Sequence, residues 1–237
     1  MKEDKAVLAK VTRPRLTRTH PRADLLDLLD ELRTAPLIIV SGLQGAGKSA
    51  LVASYAETRN IPCLWYQVDP RDEDLANFFH YLDIAARALS PHKKTDIPVP
   101  TPEVLAGDSA AVMRYFRQLY RCLDPPFLMV FDNYQNVLEE ASLHQVIRAA
   151  CTVLPVGGRI VLVAGNEYPP TVACLRANGS TAIIGWQELQ MNPLKVKEVA
   201  ALHGLTLPPG DAVKQLQRKV GAWAADFVSA LLKLRES

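Results

Sequence analysis

The stretch Gly42-Leu-Gln-Gly-Ala-Gly47-Lys48-Ser49 decides the fold. The apolar residues 37–40 precede it and the helix-forming residues 50–58 follow it, so it lies between a predicted buried strand and a predicted helix. Glycines allow the backbone to turn tightly between two such elements. The backbone N–H groups of the turn, together with the amino end of the following helix, bind phosphate. The motif in this setting therefore predicts a P-loop and a nucleotide-binding domain.

The predicted P-loop assigns roles to its individual residues. The ammonium group of Lys48 is expected between the β- and γ-phosphates of a nucleoside triphosphate, and the hydroxyl of Ser49 is expected on Mg²⁺. The predicted cofactors are therefore ATP or ADP, with Mg²⁺. The residues predicted to bind the nucleotide are Gly42, Gly45, Ala46, Gly47, Lys48, Ser49 and Ala50.

Short apolar runs alternate with helical patterns along most of the chain. Runs that are apolar throughout are typical of parallel strands that are buried on both faces of a sheet. We predict strands at 37–40, 63–68, 127–131, 159–164 and 181–184, and helices at 22–33, 50–58, 72–89, 109–123 and 143–154. The predicted fold is α/β, with a five-stranded parallel sheet and with its clearest loop at 90–102.

Helical patterns replace strands towards the end of the chain. They occupy residues 195–203, 211–219 and 222–234. We therefore predict an extended lead-in at 1–21, a P-loop domain at 22–189 and a small helical lid at 190–237.

A carboxylate follows the third predicted strand. Asp132 ends the buried run 127–131, where a carboxylate is costly unless it is paired or lies near a cation. In P-loop proteins this position belongs to the Mg²⁺ shell, so Ser49 and Asp132 are the predicted metal ligands. Asp132 and the next residue, Asn133, are the predicted catalytic positions. An amide can orient water but cannot accept its proton at neutral pH.

Three further residues are candidates for the same edge of the sheet. Glu139 and Glu140 could supply the missing base, or could be exposed residues at the start of a helix. Asn166 follows the fourth strand, where related ATPases have a polar residue that senses the γ-phosphate. It could equally be a turn residue ahead of Pro169-Pro170.

The composition is that of an ordinary globular chain. Of the 237 residues, 49% are hydrophobic and 22% are charged, and the formal net charge is +2. No apolar run approaches the roughly 20 residues of a membrane span, so we predict a cytoplasmic chain with no membrane partner. The cysteines lack the spacing of a metal site or disulfide framework, and they are Cys63, Cys122, Cys151 and Cys174.

Positive charge is concentrated near the start of the chain, at Lys10, Arg13, Arg15, Arg18 and Arg22. Such a cluster can bind nucleic acid. It can also be a solvated arm, or can contact the polyphosphate of a nucleotide. Because aromatic residues and a helix-turn-helix pattern are missing from this segment, direct DNA binding by it is the less favoured interpretation.

Several short segments, in a shared order and spacing, carry a resemblance to a known family. They are Lys10-Val-Thr-Arg13-Pro14, Arg22-x-x-Leu25-Leu26, the P-loop, Leu64-Trp65-Tyr66-x-x-Asp69, Asp132-Asn-Tyr134-Gln, Ala173-Cys-Leu175-Arg176 and Gly221-x-Trp223. Together they resemble the nucleotide-binding module of STAND ATPases, an AAA+-like module found in the maltose-regulon activator and the large LuxR-type transcriptional regulators. The resemblance covers almost the whole chain.

The resemblance implies a conformational switch. ADP holds such proteins closed and monomeric, whereas ATP with an inducer opens them and drives self-association. A C-terminal helix-turn-helix domain then activates transcription, so DNA binding is expected only through a domain absent from this chain. Arg22 is expected near the nucleotide. Either a fragment of a longer regulator or a free-standing module fits the sequence.

Two residues depart from the family pattern. Asn133 stands where the family has a second aspartate, and Gly165 stands where related members have an arginine after the fourth strand. Both changes affect water and the γ-phosphate rather than the P-loop, so the resemblance implies at most a weak ATPase.

Two alternatives belong to other functional classes. One is a free-standing ATPase or a small-molecule kinase of the P-loop class, but residues after 190 lack the dense arginine cluster of a kinase lid. The other is an interaction module that has lost its dependence on nucleotide.

Overall fold

Five apolar runs of the sequence form one parallel sheet in the computed structural model, which describes residues 9–16, 22–89, 96–165 and 181–190. The strands are β1 (Leu37–Ser41), β2 (Cys63–Gln67), β3 (Phe127–Asp132), β4 (Gly158–Ala164) and β5 (Thr181–Ile184). Their order across the sheet is β2-β3-β4-β1-β5, and every neighbouring pair is parallel. The predicted five-stranded parallel α/β fold is confirmed.

The strands are buried on both faces because helices cover both sides of the sheet. The helices are α1 (Ala23–Glu31), α2 (Lys48–Thr58), α3 (Leu75–Leu89), α4 (Pro102–Leu105), α5 (Ser109–Cys122), α6 (Leu143–Thr152) and α7 (Trp186–Leu189), with 3₁₀ turns at Leu32–Thr34, Pro70–Glu73 and Tyr134–Asn136. In β1, Leu37 and Ile39 contact the core beneath α3, α5 and α6, whereas Ile38 and Val40 contact the core beneath α1 and α2. None of the described helices has the length and apolar character of a membrane span.

The parallel register decides where polar residues meet. Ser41 at the end of β1 pairs with Ala164 at the end of β4, and Gln67 at the end of β2 pairs with Asp132 at the end of β3. The loops that follow these four strands therefore leave the sheet along one edge, where ligands bind in open α/β sheets.

Several predicted boundaries were wrong. The predicted helix at 72–89 begins at Leu75, because a 3₁₀ turn at Pro70–Glu73 precedes it. The predicted loop at 90–102 ends where α4 starts, with Pro102 in the first helical position that suits proline. The four-residue helix α7 was not predicted. The predicted lid at 190–237 lies outside the described residues, apart from Gln190.

Asp72 is fully buried, although its position beside a helix start suggests a solvent-exposed acid. Its Oδ2 accepts hydrogen bonds from Lys10 Nζ at 2.9 Å and from Asp69 N at 2.9 Å. Its Oδ1 accepts from Tyr66 OH at 2.7 Å and from Asn77 Nδ2 at 2.8 Å. Lys10 also forms an ion pair with Asp69 at 2.7 Å. This network attaches the start of the chain to the end of β2.

From that anchor the lead-in follows the outer side of β2, which is an edge strand. Arg13 lies close enough to Cys63, at the opposite end of β2, to offset part of the burial that raises the pKa of this thiol to about 12. Leu16 then packs against the core beneath α1 and α2. The lead-in thus covers an edge that would otherwise be open to pairing with another strand. Ala9 and Lys10 are helical, so the lead-in is not extended throughout.

A second buried pair holds the turn that follows β3. The hydroxyl of Tyr134 lies 2.8 Å from His144 Nδ1, and His144 Nε2 lies 2.8 Å from the carbonyl oxygen of Leu138. Since the carbonyl can only accept, Nε2 carries the proton and Nδ1 accepts from the tyrosine. Burial lowers the pKa of His144, which keeps the ring in this neutral form.

We predict that Asp72→Ala lowers the free energy of unfolding by about 3–5 kcal/mol, because it leaves the ammonium group of Lys10 buried beside a single remaining partner. Urea unfolding measures the change. Glu73→Ala is the matched control, since Glu73 is an exposed neighbouring acid. A loss below about 1 kcal/mol, as found for exposed ion pairs, would contradict the assigned role.

We also predict that His144 makes stability depend on pH. The pKa of His144 is near 6.5 in the unfolded chain and is lower in the folded protein. Below pH 6.5 the unfolded state therefore binds a proton that the folded state does not bind. The stabilisation is complete above pH 6.5 and is lost as the pH falls towards the lowered value, by at most about 1.4 kcal/mol per pH unit. Urea unfolding at pH 7.5 and 5.5 should show this loss in the wild type and a smaller one in His144→Gln. Equal losses in both proteins would exclude His144 as the cause.

Candidate nucleotide-binding site

The loop between β1 and α2 presents backbone donors around a hollow. Gly45 and Gly47 have positive φ angles, +84° and +78°. Residues other than glycine rarely adopt this backbone conformation. Gly47 is the residue before the first turn of α2. No described residue accepts a hydrogen bond from the backbone N–H groups of Gly45, Gly47, Lys48 or Ser49. This arrangement is an anion-binding nest at a helix amino end.

A cavity of about 710 Å³ opens over this loop at the carboxyl edge of the sheet. It is lined by Gln44, Gly45, Gly47, Lys48, Ser49, Ala50, Asp132, Asn133, Gln135, Asn136, Val163 and Gly165. Five of the seven loop residues predicted to bind nucleotide are among them. The other two, Gly42 and Ala46, are buried and support the loop from below.

Ser49 and Asp132 are joined directly. Ser49 Oγ donates a hydrogen bond to Asp132 Oδ1 at 2.8 Å, and the N–H of Asn133 donates to the same oxygen at 3.0 Å. Asp132 Oδ2 has no hydrogen-bond partner among the described residues, and the lone pairs of Ser49 Oγ are also available. Burial raises the pKa of Asp132, against the effects of these two hydrogen bonds and of Lys48.

This pair fits the way Mg²⁺ binds in nucleotide sites. Mg²⁺ keeps several waters and uses one or two protein oxygens with the phosphates of the nucleotide, rather than a cage of protein ligands. Among the described residues there is no cluster of three or more acidic, histidine or cysteine side chains that could form such a cage. Ser49 Oγ and Asp132 are the residues that would hold the ion.

Lys48 lies against its own loop. Its Nζ donates to the carbonyl oxygens of Gly42 at 2.7 Å and Leu43 at 2.8 Å. Burial lowers the pKa of Lys48, and the carboxylate of Asp132 opposes that shift. The ammonium group is therefore held by two neutral acceptors, which a phosphate oxygen can replace with a stronger, charge-assisted bond.

Asn133 adopts the left-handed conformation, with φ at +61°. Asparagine is one of the few residues that tolerate it, and the conformation turns the chain from β3 into the 3₁₀ turn at Tyr134–Asn136. The turn is tied back to the sheet, because Asn136 Nδ2 donates to the carbonyl oxygen of Val68 at 3.1 Å. Asn133 is thereby placed on the cavity wall.

Sequence reasoning missed three side chains on the cavity wall, Gln44, Gln135 and Asn136. Gln135 was visible only as the last residue of the Asp132-Asn-Tyr134-Gln segment. It packs over Gly165, where an added Cβ would lie 3.4 Å from its own Cβ. The side chain of Gln135 thus borders the position at which related members have an arginine, according to the resemblance.

The two glutamates suggested as bases do not line the cavity. Glu139 and Glu140 are exposed residues of a turn before α6, so the solvent-exposed alternative describes them better. They do not begin a helix, since α6 starts at Leu143. Asn166 lies outside the described residues.

Arg22 is not on the cavity wall either. Its guanidinium donates to the carbonyl oxygens of Glu188, Leu189 and Gln190 at 3.2, 2.8 and 3.2 Å. Leu189 in turn packs against the P-loop, because an added Cβ on Gly42 would lie 3.1 Å from its Cδ1. Arg22 therefore contacts the segment 188–190, which packs against the P-loop, and does not contact the cavity.

The basic cluster near the start of the chain does not form one surface. Lys10 is buried against acids and Arg22 is bound to carbonyls. The other described members are Arg13, which is half-buried, and Arg15, which is exposed. Arg18 lies outside the described residues. A continuous nucleic-acid-binding patch is not formed by the described part of this cluster.

The cysteines of the described segments form no disulfide. They are Cys63, Cys122 and Cys151. Burial raises the pKa of Cys151 to about 12, so its thiol behaves as a small apolar group. Cys174 lies outside the described residues.

Comparison with solved structures gives the fold. The Walker-type ATPase paby2304 of Pyrococcus abyssi aligns with a TM-score of 0.52 and 12% identity, over 91% of this chain and 67% of that one. A DNA replication initiation factor aligns with a TM-score of 0.48 and 10% identity, over 96% of this chain and 64% of that one, which is too low a score to argue from.

Comparison with curated proteins and family models gives the family. The HTH-type transcriptional regulator MalT of Klebsiella pneumoniae is 25% identical over 232 residues, which are 97% of this chain and 25% of the regulator. The chain thus spans about a quarter of that relative, and the resemblance to the maltose-activator module is confirmed. The family model described as the AAA ATPase domain matches residues 16–163, and the chain belongs to that AAA ATPase domain family.

Proposed function

We propose that this chain is the ATP- and ADP-binding switch module of a MalT-like transcriptional regulator, that it associates with itself in the ATP state, and that it hydrolyses ATP slowly. The observation that carries the proposal is the combination of two features. The backbone N–H groups of Gly45, Gly47, Lys48 and Ser49 have no acceptor among the described residues, and Asp132 is the only carboxylate on the described cavity wall.

Nucleotide binding follows from the donors. Gly45, Gly47, Lys48 and Ser49 line the cavity at the amino end of α2. Their four backbone N–H groups, the helix dipole and the charge of Lys48 give this part of the wall a positive potential. A volume of about 710 Å³ is in the range of cavities that hold ligands of this size. Ser49 and Asp132 add the oxygens that Mg²⁺ takes from a protein.

Slow hydrolysis follows from the rest of the wall. Gln44, Asn133, Gln135 and Asn136 carry amides, which can position water but cannot accept its proton. Asp132 accepts hydrogen bonds from Ser49 Oγ and from the N–H of Asn133 at one of its two oxygens. A general base contributes typically about 10²- to 10⁴-fold to such a reaction. A wall whose one carboxylate is assigned to Mg²⁺ therefore favours binding over turnover.

The regulatory part of the proposal rests on similarity. MalT is named as an HTH-type transcriptional regulator, and this chain aligns with about a quarter of its length. Slow turnover keeps ATP intact long enough to define one state, as a switch requires. Nucleotide-dependent self-association is the output that we assign to that switch.

For the nucleotide site, we predict that Lys48→Ala weakens ATP affinity roughly 10- to 100-fold, the equivalent of one charge-assisted hydrogen bond or two. Titration calorimetry with Mg·ATP measures the change. Arg33→Ala is the matched control, because it removes an exposed positive charge from the turn after α1. Unchanged affinity in Lys48→Ala would favour an interaction module that does not depend on nucleotide.

For turnover, we predict a steady-state rate well below about 1 s⁻¹, which is the low end for working enzymes. Asn133→Asp should raise the rate at least about tenfold, because aspartate supplies a base and tolerates the left-handed conformation. Phosphate release measures both rates. A wild-type rate of about 1 s⁻¹ or more would support the free-standing ATPase instead.

A further inference from the structure

Helix α1 carries charge of one sign only. Its sequence, Ala-Asp-Leu-Leu-Asp-Leu-Leu-Asp-Glu, contains four acids and no lysine or arginine. Three leucines are buried beneath it, so the opposite face is exposed and carries Asp24, Asp27 and Glu31. We call these three residues the acidic row.

Helix α5 carries charge of the opposite sign only. Its 14 residues contain three arginines and no acid. Its apolar face is buried against the sheet, and Arg114, Arg117 and Arg121 are all exposed on the other side. We call these three residues the basic row.

Neither row is balanced by charges of the opposite sign on its own helix. Exposed helices usually combine both signs at a spacing of three or four residues, and neither α1 nor α5 does so. Glu31 lies at the carboxyl end of α1, where a negative charge is unfavourable to the helix dipole. No member of the basic row forms an ion pair with a described residue. In the acidic row, Asp27 contacts Arg59 at 3.0 Å but keeps 72% of its side chain exposed.

The two rows match in spacing. Each places its charges at i, i+3 and i+7, so at about 1.5 Å per residue the intervals along both helices are about 4.5 and 6 Å. Flexible arginine side chains absorb the small mismatch that arises if the two helices run antiparallel. The rows can therefore pair charge by charge.

The two rows also lie on opposite faces of the sheet. The buried side of α1 belongs to the core shared with α2, and the buried side of α5 belongs to the core shared with α3 and α6. One chain therefore cannot pair its own two rows. The face of one copy that carries α5 can instead contact the face of a second copy that carries α1.

We propose that the basic row of one copy binds the acidic row of a second copy, in a head-to-tail contact. This rests on the self-association assigned above and names its surface. Such a contact is heterologous, so in a pair each copy has one row outside the contact and the assembly can continue beyond two copies. A nucleic acid would use the basic row alone and leave the acidic row without a role, whereas a second copy uses both.

A charge exchange tests the contact. One variant carries Arg117→Glu with Arg121→Glu, and the other carries Asp27→Lys with Glu31→Lys. Each variant alone should lose self-association by at least about tenfold, because like charges then face each other in every contact. An equimolar mixture should regain it, since each row of one variant is complementary to a row of the other.

Sedimentation velocity with Mg·ATP, Mg·ADP and no nucleotide measures association, and Arg33→Glu is the control outside both rows. Higher salt should weaken the wild-type contact. Variants that associate as the wild type does, or a mixture of folded variants that stays monomeric, would overturn the proposal. So would a wild-type chain that remains monomeric up to roughly 100 µM, well above the range of standard interfaces.

Nucleotide titration of the same proteins separates this proposal from the proposed function. Both variants should bind ATP with wild-type affinity, because neither row lines the cavity. Normal binding with failed charge exchange overturns the contact alone, whereas a wild-type chain that binds no nucleotide overturns the proposed function. Loss of binding to a DNA duplex in the arginine variant, with unchanged association, would assign the basic row to nucleic acid instead.

Discussion

The hydrogen bond from Ser49 to Asp132 joins two parts of the chain that are 83 residues apart, at the point where β1 and β3 end. It depends on the parallel register, because only parallel strands bring their carboxyl ends to one edge. Asp132 is buried, and a buried carboxylate is tolerated where it has partners. The P-loop supplies one partner and the backbone of Asn133 supplies the other. The loop, the turn after β3 and the cavity between them are therefore one structure.

A feature of the fold or of the site could be predicted from the sequence where the residues that determine it are close together in the chain. The strands were predictable because burial on both faces leaves uninterrupted apolar runs. In β3, for example, every residue before Asp132 is apolar. The P-loop was predictable because its glycines and its neighbouring elements are adjacent in sequence. Asp132 was found because a P-loop raises the significance of an acid after a buried strand.

The parts that escaped prediction depend on contacts between distant residues. Lys10 and Asp72 lie 62 residues apart, and each alone resembles an ordinary surface charge. Arg22 was expected at the nucleotide because of a resemblance, but it binds carbonyl oxygens that follow β5. Gln135 gave no signal of its own, because its place on the cavity wall depends on Gly165. Helices of four residues, such as α7, are too short to show periodicity.

Arg22 also connects the nucleotide-binding site to the helix that carries the acidic row. It is the residue before the first turn of α1, and its guanidinium holds the carbonyl oxygens of Glu188–Gln190. Leu189 in the same segment packs against Gly42, whose carbonyl oxygen accepts the hydrogen bond from Lys48. When Lys48 leaves that carbonyl for a phosphate, the first residue of the P-loop loses a charged partner. Leu189 packs against that residue, and Arg22 connects the segment of Leu189 to the helix that carries the acidic row. These contacts form one continuous connection from the P-loop to the helix that carries the acidic row.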